Sequence, residues 1–215
     1  MRILQLCKKF PYPLKDRESL AVTYLSRALN TLGCEVTLLA MNTTKHYCEV
    51  EDLPESYNHY HALHFVEVDN RINVRGAFMN LFSGDSYHVS RFISPAFEAK
   101  LLQLLSQNTY DVIQLETLFL SPYIPIIKKH SDALIAMRSH NVEHEIWERV
   151  AGNTRFFPRK WYLQYLANKL RRYEIACLSD YDLLVAITKR DLQQFRQLGY
   201  RKPAMVTPIG IKGGD

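Results

Sequence analysis

Short apolar runs alternate with helical periodicities along the whole chain. Runs of consecutive apolar residues predict strands that are buried on both faces. Such runs, in places interrupted or bounded by polar residues, lie at 3–7, 36–41, 111–115, within 133–141, at 183–187 and at 204–207, and residues 63–68 alternate enough to predict a further strand. Apolar residues spaced three and four apart predict helices at 20–32, 92–105, 118–129, 142–150, 161–177 and 189–198. Pro122 and Pro125 restrict the 118–129 helix to a kinked or late-starting form. Residues 42–60 read as a long loop, and 70–89 carry no clear pattern.

Buried strands separated by helices favour a parallel sheet covered on both faces. The predicted fold class is therefore α/β, a doubly wound, mostly parallel, Rossmann-like sheet. It spans 1–207 as one domain, and 208–215 would begin a linker to a further domain.

Composition narrows the class of protein further. The 215 residues are 47% hydrophobic, enough for a full core, and only 23% charged, which argues against disorder. No apolar run is long enough for a secretory signal or a membrane span. The four cysteines lie far apart without a Cys-x-x-Cys pair, so reduced thiols in a cytoplasmic protein are expected.

The clearest candidate for a catalytic residue is His140. It follows the apolar run 133–137 after two polar residues, Arg138 and Ser139. In an open α/β sheet, ligands bind at the carboxyl ends of the strands. Glu116 and Thr188 end two other predicted strands and would share that edge with His140. The three side chains predict a polar cleft for carbohydrate or phosphate. The alternative is a histidine that caps a buried helix start.

The turn after the first strand lacks a Gly-x-Gly-x-x-Gly motif, and no P-loop occurs. Lys15 and Arg17 stand just before a predicted helix, whose amino end can receive an anion. The alternative is a solvated loop with ordinary surface cations. Asn141 is predicted as the N-cap of the helix that follows His140.

His140, Glu143 and His144 also match His-x-x-Glu-His, a zinc protease pattern that requires both histidines on one helix face. Because His140 ends a strand and no third ligand stands out, a zinc hydrolase is the weaker interpretation. Glu143 and Glu145 are explained as acids that face the positive end of a helix dipole.

Residues 151–172 contain six cations interleaved with aromatic residues and no acid. Such a segment suits an anionic membrane surface, with nucleic acid as the competing partner and a packed helix with solvated cations as the alternative. We predict membrane contact and no nucleic acid. The candidate contacts are Arg159, Lys160, Trp161, Lys169, Arg171 and Arg172.

Several short motifs, in order and spacing, resemble the amino-terminal half of family 4 glycosyltransferases of the GT-B fold. They are Arg138-Ser139-His140-Asn141-Val142-Glu143, Arg172-Tyr173-Glu174, Val185-Ala186-Ile187-Thr188 and Pro208-Ile209-Gly210-Ile211, with 2–6, 10–13, 32–39 and 110–114. The resemblance implies an acceptor-binding domain, with the nucleotide-sugar held mainly by a second domain outside this chain. Cysteine usage and the basic aromatic segment together predict a cytoplasmic protein that is peripheral on the inner face of the membrane.

By this resemblance, His140 contacts the transferred sugar as its anomeric carbon gains oxocarbenium character, and configuration is retained. Lys15, Arg17, Glu116, Asn141 and Thr188 are the expected substrate contacts. The resemblance implies no metal and no cofactor beyond the nucleotide-sugar co-substrate. The family's Gly-Gly pair is replaced by residues 15–18, which leaves phosphate contact to Lys15 or Arg17. The chain alone is expected to be inactive. The rival function is a non-catalytic domain that binds a ligand or partner at the same edge.

Overall fold

The fold is described by a computed structural model covering residues 1–43, 53–54, 57–68 and 87–208. Within them lie the strands β1 Arg2–Cys7, β2 Glu35–Thr43, β3 Ala62–Val68, β4 Val112–Leu115, β5 Leu134–Ser139, β6 Leu183–Ala186 and β7 Ala204–Val206. The helices are α1 Arg17–Thr31, α2 Tyr87–Ser90, α3 Pro95–Gln107, α4 Ile124–His130, α5 Glu143–Gly152, α6 Phe157–Cys177 and α7 Lys189–Gln197. Short 3₁₀ helices occupy Leu118–Tyr123 and Leu178–Asp180. Each predicted strand is confirmed.

The strands form one sheet in the order β3-β2-β1-β4-β5-β6-β7, and every neighbouring pair is parallel. The chain builds outward from β1 to β3 and then returns to the other side of β1 to form β4. Such a reversal opens a crevice beyond the carboxyl ends of the two central strands. The doubly wound, Rossmann-like fold is confirmed.

Successive side chains of the central strand enter cores on opposite faces of the sheet. Leu4 and Leu6 pack into one apolar cluster, whereas Ile3 and Cys7 pack into the other, together with Val22 of α1. A strand with both faces buried is apolar on both faces, which is why the sequence of β1 is apolar from Ile3 to Cys7 except for the buried Gln5. Full burial of each leucine contributes about 2 kcal/mol.

Helix starts are set by local side-chain caps. Asp16 accepts a hydrogen bond from the Ser19 amide at 2.9 Å and so begins α1. Ser94 caps α3, and Pro95 occupies its first turn. The predicted start of that helix near Phe92 is therefore wrong by a few residues. The prolines of the 118–129 segment act as expected, since a 3₁₀ turn precedes the late-starting α4.

The predicted N-cap of α5 is wrong. Val142 occupies the N-cap position, and its side chain makes no capping hydrogen bond. Instead, the carboxylate of Glu174, on α6, accepts from the amides of Glu143 at 3.1 Å and His144 at 3.2 Å. Because this contact holds the start of α5 against the later part of α6, the two helices form an antiparallel hairpin.

The predicted loop at 42–60 is shorter than expected, because β2 continues to Thr43. Tyr57 and Tyr60 are buried against the same apolar cluster as Ile3. Residues 44–52 and 55–56 of that loop, the patternless stretch as far as residue 86, and the predicted linker from residue 209 onward lie outside the described residues.

Candidate functional site

A cleft of about 790 Å³ lies at the carboxyl edge of the sheet. It is lined by residues that follow the ends of β1, β4, β5 and β6, the strands on either side of the chain reversal. All six residues predicted as catalytic or substrate-binding contacts line this cleft: Lys15, Arg17, Glu116, His140, Asn141 and Thr188. The tertiary structure thus brings together positions far apart in sequence. Their contacts with a substrate remain predictions.

His140 directly follows β5, and its ring is held in place by the carboxylate of Glu116. The Nε2 atom lies 3.0 Å from a Glu116 carboxylate oxygen, and 11% of the His140 side chain is exposed. Burial by itself raises the pKa of Glu116. The Arg138 guanidinium and the hydrogen bonds from His140 and Gln5 outweigh that effect and lower its pKa to about 2. Glu116 is therefore ionised throughout the ordinary pH range.

The ionised carboxylate determines which way the histidine presents its nitrogens. An ionised carboxylate only accepts hydrogen bonds, so the proton of a neutral His140 ring must sit on Nε2. The Nδ1 atom has no hydrogen-bond partner among the described residues. A neutral His140 consequently offers the cleft a hydrogen-bond acceptor, suited to a hydroxyl group.

Glu116 was expected to contact substrate, but the structure gives it the position of an orienting group. It is fully buried, and its oxygens accept from Gln5 at 2.6 Å, from Gln114, from Arg138 at 3.3 Å and from His140. Arg138 also donates to the carbonyl of Ala21, which links the network to α1. Four protein donors leave little room for a ligand at this carboxylate.

The cations of the cleft are partly neutralised by nearby acids. Lys15 and Arg17 are exposed at its rim, but Asp16 between them already caps the amino end of α1. The helix end that the sequence offers to an anion is thus occupied by the chain's own carboxylate.

Two further cations of the cleft, Lys8 and Lys9, directly follow β1 and were not predicted from the sequence. Lys9 lies 2.8 Å from Asp16, and Lys8 lies 3.4 Å from Glu18. The rule that ligands bind at strand ends, applied to β1, would have found both.

Asn141 and Thr188 line the cleft after the ends of β5 and β6. Thr188 is exposed, and its hydroxyl caps α7 by accepting a hydrogen bond from the Asp191 amide at 3.0 Å. Asn141 is exposed, and its side chain caps no helix.

Glu143 also lines the cleft, although its sequence position suggests only a dipole-facing acid. Only 9% of the residue is exposed. Burial, the largest cause, raises its pKa to about 7 against the lowering effect of Lys8, while Glu174 and Glu18 raise it further. Burial therefore outweighs the helix dipole, and the group is about half protonated at neutral pH.

The geometry does not support the zinc interpretation. His140 precedes α5 rather than lying on it, and His144 pairs with Glu174 at 2.6 Å away from the cleft lining. Among the described residues, no group of three or more histidine, cysteine or acidic side chains could hold a metal ion.

The basic aromatic segment forms a surface separate from the cleft. Phe156, Phe157 and Trp161 are 67%, 77% and 62% exposed, at the start of α6. The predicted contacts Arg159, Lys160, Arg171 and Arg172 are exposed, whereas Lys169 is half-buried with its ammonium 5.4 Å from the ring centre of Tyr165. In the part of the chain that the structure describes, no helix is long and apolar enough to cross a membrane.

Comparisons with known proteins agree with this architecture. The sequence model of Glycosyltransferase Family 4 matches residues 20–212. Sucrose-phosphate synthase from Thermosynechococcus elongatus aligns with a TM-score of 0.62 and 13% identity, over 97% of this chain and 48% of that chain. HepE from Anabaena, in complex with UDP and glucose, aligns with a TM-score of 0.55 and 13% identity, over 98% of this chain and 45% of that chain.

UGT2 of Phytolacca americana, complexed with UDP-2fluoro-glucose and pterostilbene, gives a TM-score of 0.55 at 11% identity over 99% of this chain and 55% of that chain. The chain spans about half the length of the solved structures it matches. At these identities the likeness concerns the fold. No curated protein matches the chain.

Proposed function

Since the chain belongs to glycosyltransferase family 4, we propose that it is the acceptor-binding half of a retaining transferase. The enzyme would move a hexose from a nucleotide-sugar to a glycan or a lipid-linked acceptor. A separate half would hold most of the nucleotide-sugar and close over the cleft. Two of the similar structures contain UDP or a UDP-sugar, which supports a nucleotide-sugar as the co-substrate.

The observation that carries this proposal is the orientation of His140. Its Nδ1 faces no protein donor among the described residues, while its Nε2 is fixed by the ionised Glu116. As the anomeric centre becomes oxocarbenium-like, the hydroxyl protons of the sugar become more acidic. A hydrogen bond from such a hydroxyl to Nδ1 strengthens in the transition state, and only such differential binding accelerates the reaction.

Transfer assays on the enzyme that contains this chain test the proposal. His140→Ala should lower kcat by about a hundredfold or more, because a bond made mainly in the transition state is lost. Glu148→Gln, on α5 but outside the cleft lining, is the control. Unchanged turnover of the His140 variant would remove the catalytic role. Binding of a sugar acceptor without transfer would support the rival, non-catalytic function.

Two finer parts of the proposal have their own measurements. Proton NMR of the first-formed product should show the anomeric configuration of the donor. Transfer should persist in excess EDTA, since we propose that protein groups, and not a metal, neutralise the leaving diphosphate. Product of inverted configuration, or full loss of turnover that added Mg²⁺ restores, would contradict these parts.

The same proposal places the enzyme on the inner face of a membrane, with the tip of the α5–α6 hairpin as the contact. Phe157 and Trp161 lie one turn apart on the exposed side of α6, about 26 Å and about 20 Å along its axis from Glu174, at roughly 1.5 Å per residue. Exposed aromatic rings flanked by cations suit the headgroup region of an anionic bilayer. The acid-free stretch 151–172 leaves no repulsive charge on this surface.

Sedimentation with vesicles of phosphatidylcholine and phosphatidylglycerol tests the membrane contact. Arg159→Glu with Lys160→Glu should lower the bound fraction, since each cation near an anionic surface contributes about 1 kcal/mol. Lys100→Glu with Lys129→Glu makes the same change of charge on α3 and α4 and should bind as the wild type does. Equal binding of the two double variants, or preference for an RNA or DNA duplex over vesicles, would refute the proposal.

A further inference from the structure

The role proposed for His140 does not account for one polar residue of the cleft, Glu143. Glu143, the first residue of α5, extends its carboxylate into the cleft wall, with Lys8 and Glu18 among the other lining residues. Its side chain is about nine-tenths buried. A buried acid in this position contributes nothing to the capping of its own helix, because the Glu174 carboxylate performs that task.

The carboxylate of Glu143 receives no hydrogen bond from any described residue. The two other buried acids near it differ in this respect. Glu116 accepts from four side chains, and Glu174 accepts from two amides and the ring of His144. Its oxygens are not among the fully enclosed, unpartnered atoms of the described residues, so they are open to the cleft, where a hydroxyl group of a ligand can supply the missing donor.

The geometry points to Glu143 as the contact for a hydroxyl group of the sugar acceptor, next to the sugar bound by His140. This inference rests on the proposed function and names a residue that the family resemblance did not. A neutral hydroxyl donates to the carboxylate without adding charge. An anionic group is disfavoured at this position, because Glu18 and Glu174 lie close by and Lys8 is paired with Glu18 at 3.4 Å.

The contact predicts a characteristic pH dependence of acceptor binding. The charged groups around Glu143 are Lys8 after β1, Glu18 of α1 and Glu174 of α6, with Glu116 and His140 deeper in the cleft. Burial, opposed by Lys8 and reinforced by Glu174 and Glu18, raises the pKa of Glu143 to about 7. Since an ionised carboxylate accepts a stronger hydrogen bond than a carboxylic acid, the acceptor KM should fall as the pH rises through this value.

The experiment measures acceptor and donor KM separately at about pH 6 and about pH 8. It uses the enzyme with its donor-binding half, UDP-glucose or UDP-galactose as donor, and octyl glucoside, octyl galactoside or a polyprenyl-diphosphate sugar as acceptor. Glu143→Ala should raise the acceptor KM about tenfold at the higher pH, the effect of losing a charged hydrogen bond. Glu143→Gln should raise it less and abolish the pH step. Donor KM should stay within about twofold, and Glu148→Gln should match the wild type.

The possible failures are distinguishable. If no donor–acceptor pair gives transfer, the proposed function is refuted, and the contact with it. If transfer occurs but the acceptor KM of Glu143→Gln keeps the pH step of the wild type, only the role of Glu143 is refuted. The same conclusion holds if donor KM rises while acceptor KM does not.

Discussion

Two acids of the cleft, Glu116 and Glu143, are both buried yet have opposite properties. Arg138 and three further donors surround Glu116 and keep it ionised, with a pKa of about 2. Glu143 lacks such donors, and burial raises its pKa to about 7. A charged group that is buried without a partner destabilises the fold. Active sites commonly contain such destabilising groups, because activity and stability make opposing demands there.

Replacement of Glu143 by glutamine should therefore stabilise the protein at high pH. The folded pKa of about 7 exceeds the ordinary value of 4.5, so the folded state binds more protons between these values. Wild-type stability should fall as the pH rises from about 4.5 to about 7 and then stay low. Above pH 7 the free energy of unfolding of Glu143→Gln should exceed that of the wild type by up to about 3 kcal/mol.

Urea denaturation at several pH values measures this difference. Glu148→Gln, which changes an acid farther along α5, should show no comparable gain. A Glu143 variant that is less stable than the wild type at every pH would contradict the prediction. A more stable variant with weaker acceptor binding would separate the functional role of Glu143 from a structural one.

At the scale of elements, the α5–α6 hairpin depends on a cap supplied by the neighbouring helix. Glu174 is 2% exposed and accepts three hydrogen bonds from the first turn of α5. This contact orients the turn that carries Asn141 and Glu143 into the cleft. It also connects the cleft to α6, whose other end carries the exposed Phe157 and Trp161.

Glu174→Ala should lower the free energy of unfolding by roughly 2–3 kcal/mol, because it leaves two amides and the His144 ring without an acceptor. Asn141→Ala should change it by less than about 0.5 kcal/mol, since the exposed asparagine caps nothing. Hydrogen exchange should become faster in the first turn of α5 for Glu174→Ala only. Equal destabilisation by both substitutions would show that Asn141 caps the helix after all.

At the scale of the whole molecule, strand order makes the cleft. The ends of β1, β4, β5 and β6 meet at one edge, which gathers Lys8, Glu116, His140 and Thr188 although up to 180 positions separate them. In the proposed enzyme, this cleft of about 790 Å³ would form one wall of the reaction site and would face the donor-binding half.

Residues 1–208 expressed alone should fold but transfer no sugar. Hydrogen exchange should be slowest in β1 and β4, the central strands, whose amides are buried within the parallel sheet. Acceptor binding should be weak, because the ligand would touch only one side of the cleft. Transfer by this fragment from UDP-glucose or UDP-galactose to any sugar of the panel above would contradict the two-half proposal.

Much of the fold could be predicted because its signals are local. The apolar run of 3–7 can only be a strand buried on both faces, and Thr188 followed by Asp191 announces a helix start. His140 was found because a polar residue directly follows such a strand. Glu143 was interpreted only as an acid facing the helix dipole, and Glu174 was given no role, because their contact joins two helices across 31 positions. No local pattern records such a pairing.

By itself, the chain's order of apolar and polar residues determined the strands, the helices, the parallel sheet and the edge where a cleft forms, since each depends on neighbours a few positions apart. Only the tertiary structure decided which polar groups reach that cleft and in what ionisation state. Burial and distant charges set the pKa values of Glu116 and Glu143 and the orientation of His140. These quantities depend on distances in space that the packed fold alone establishes.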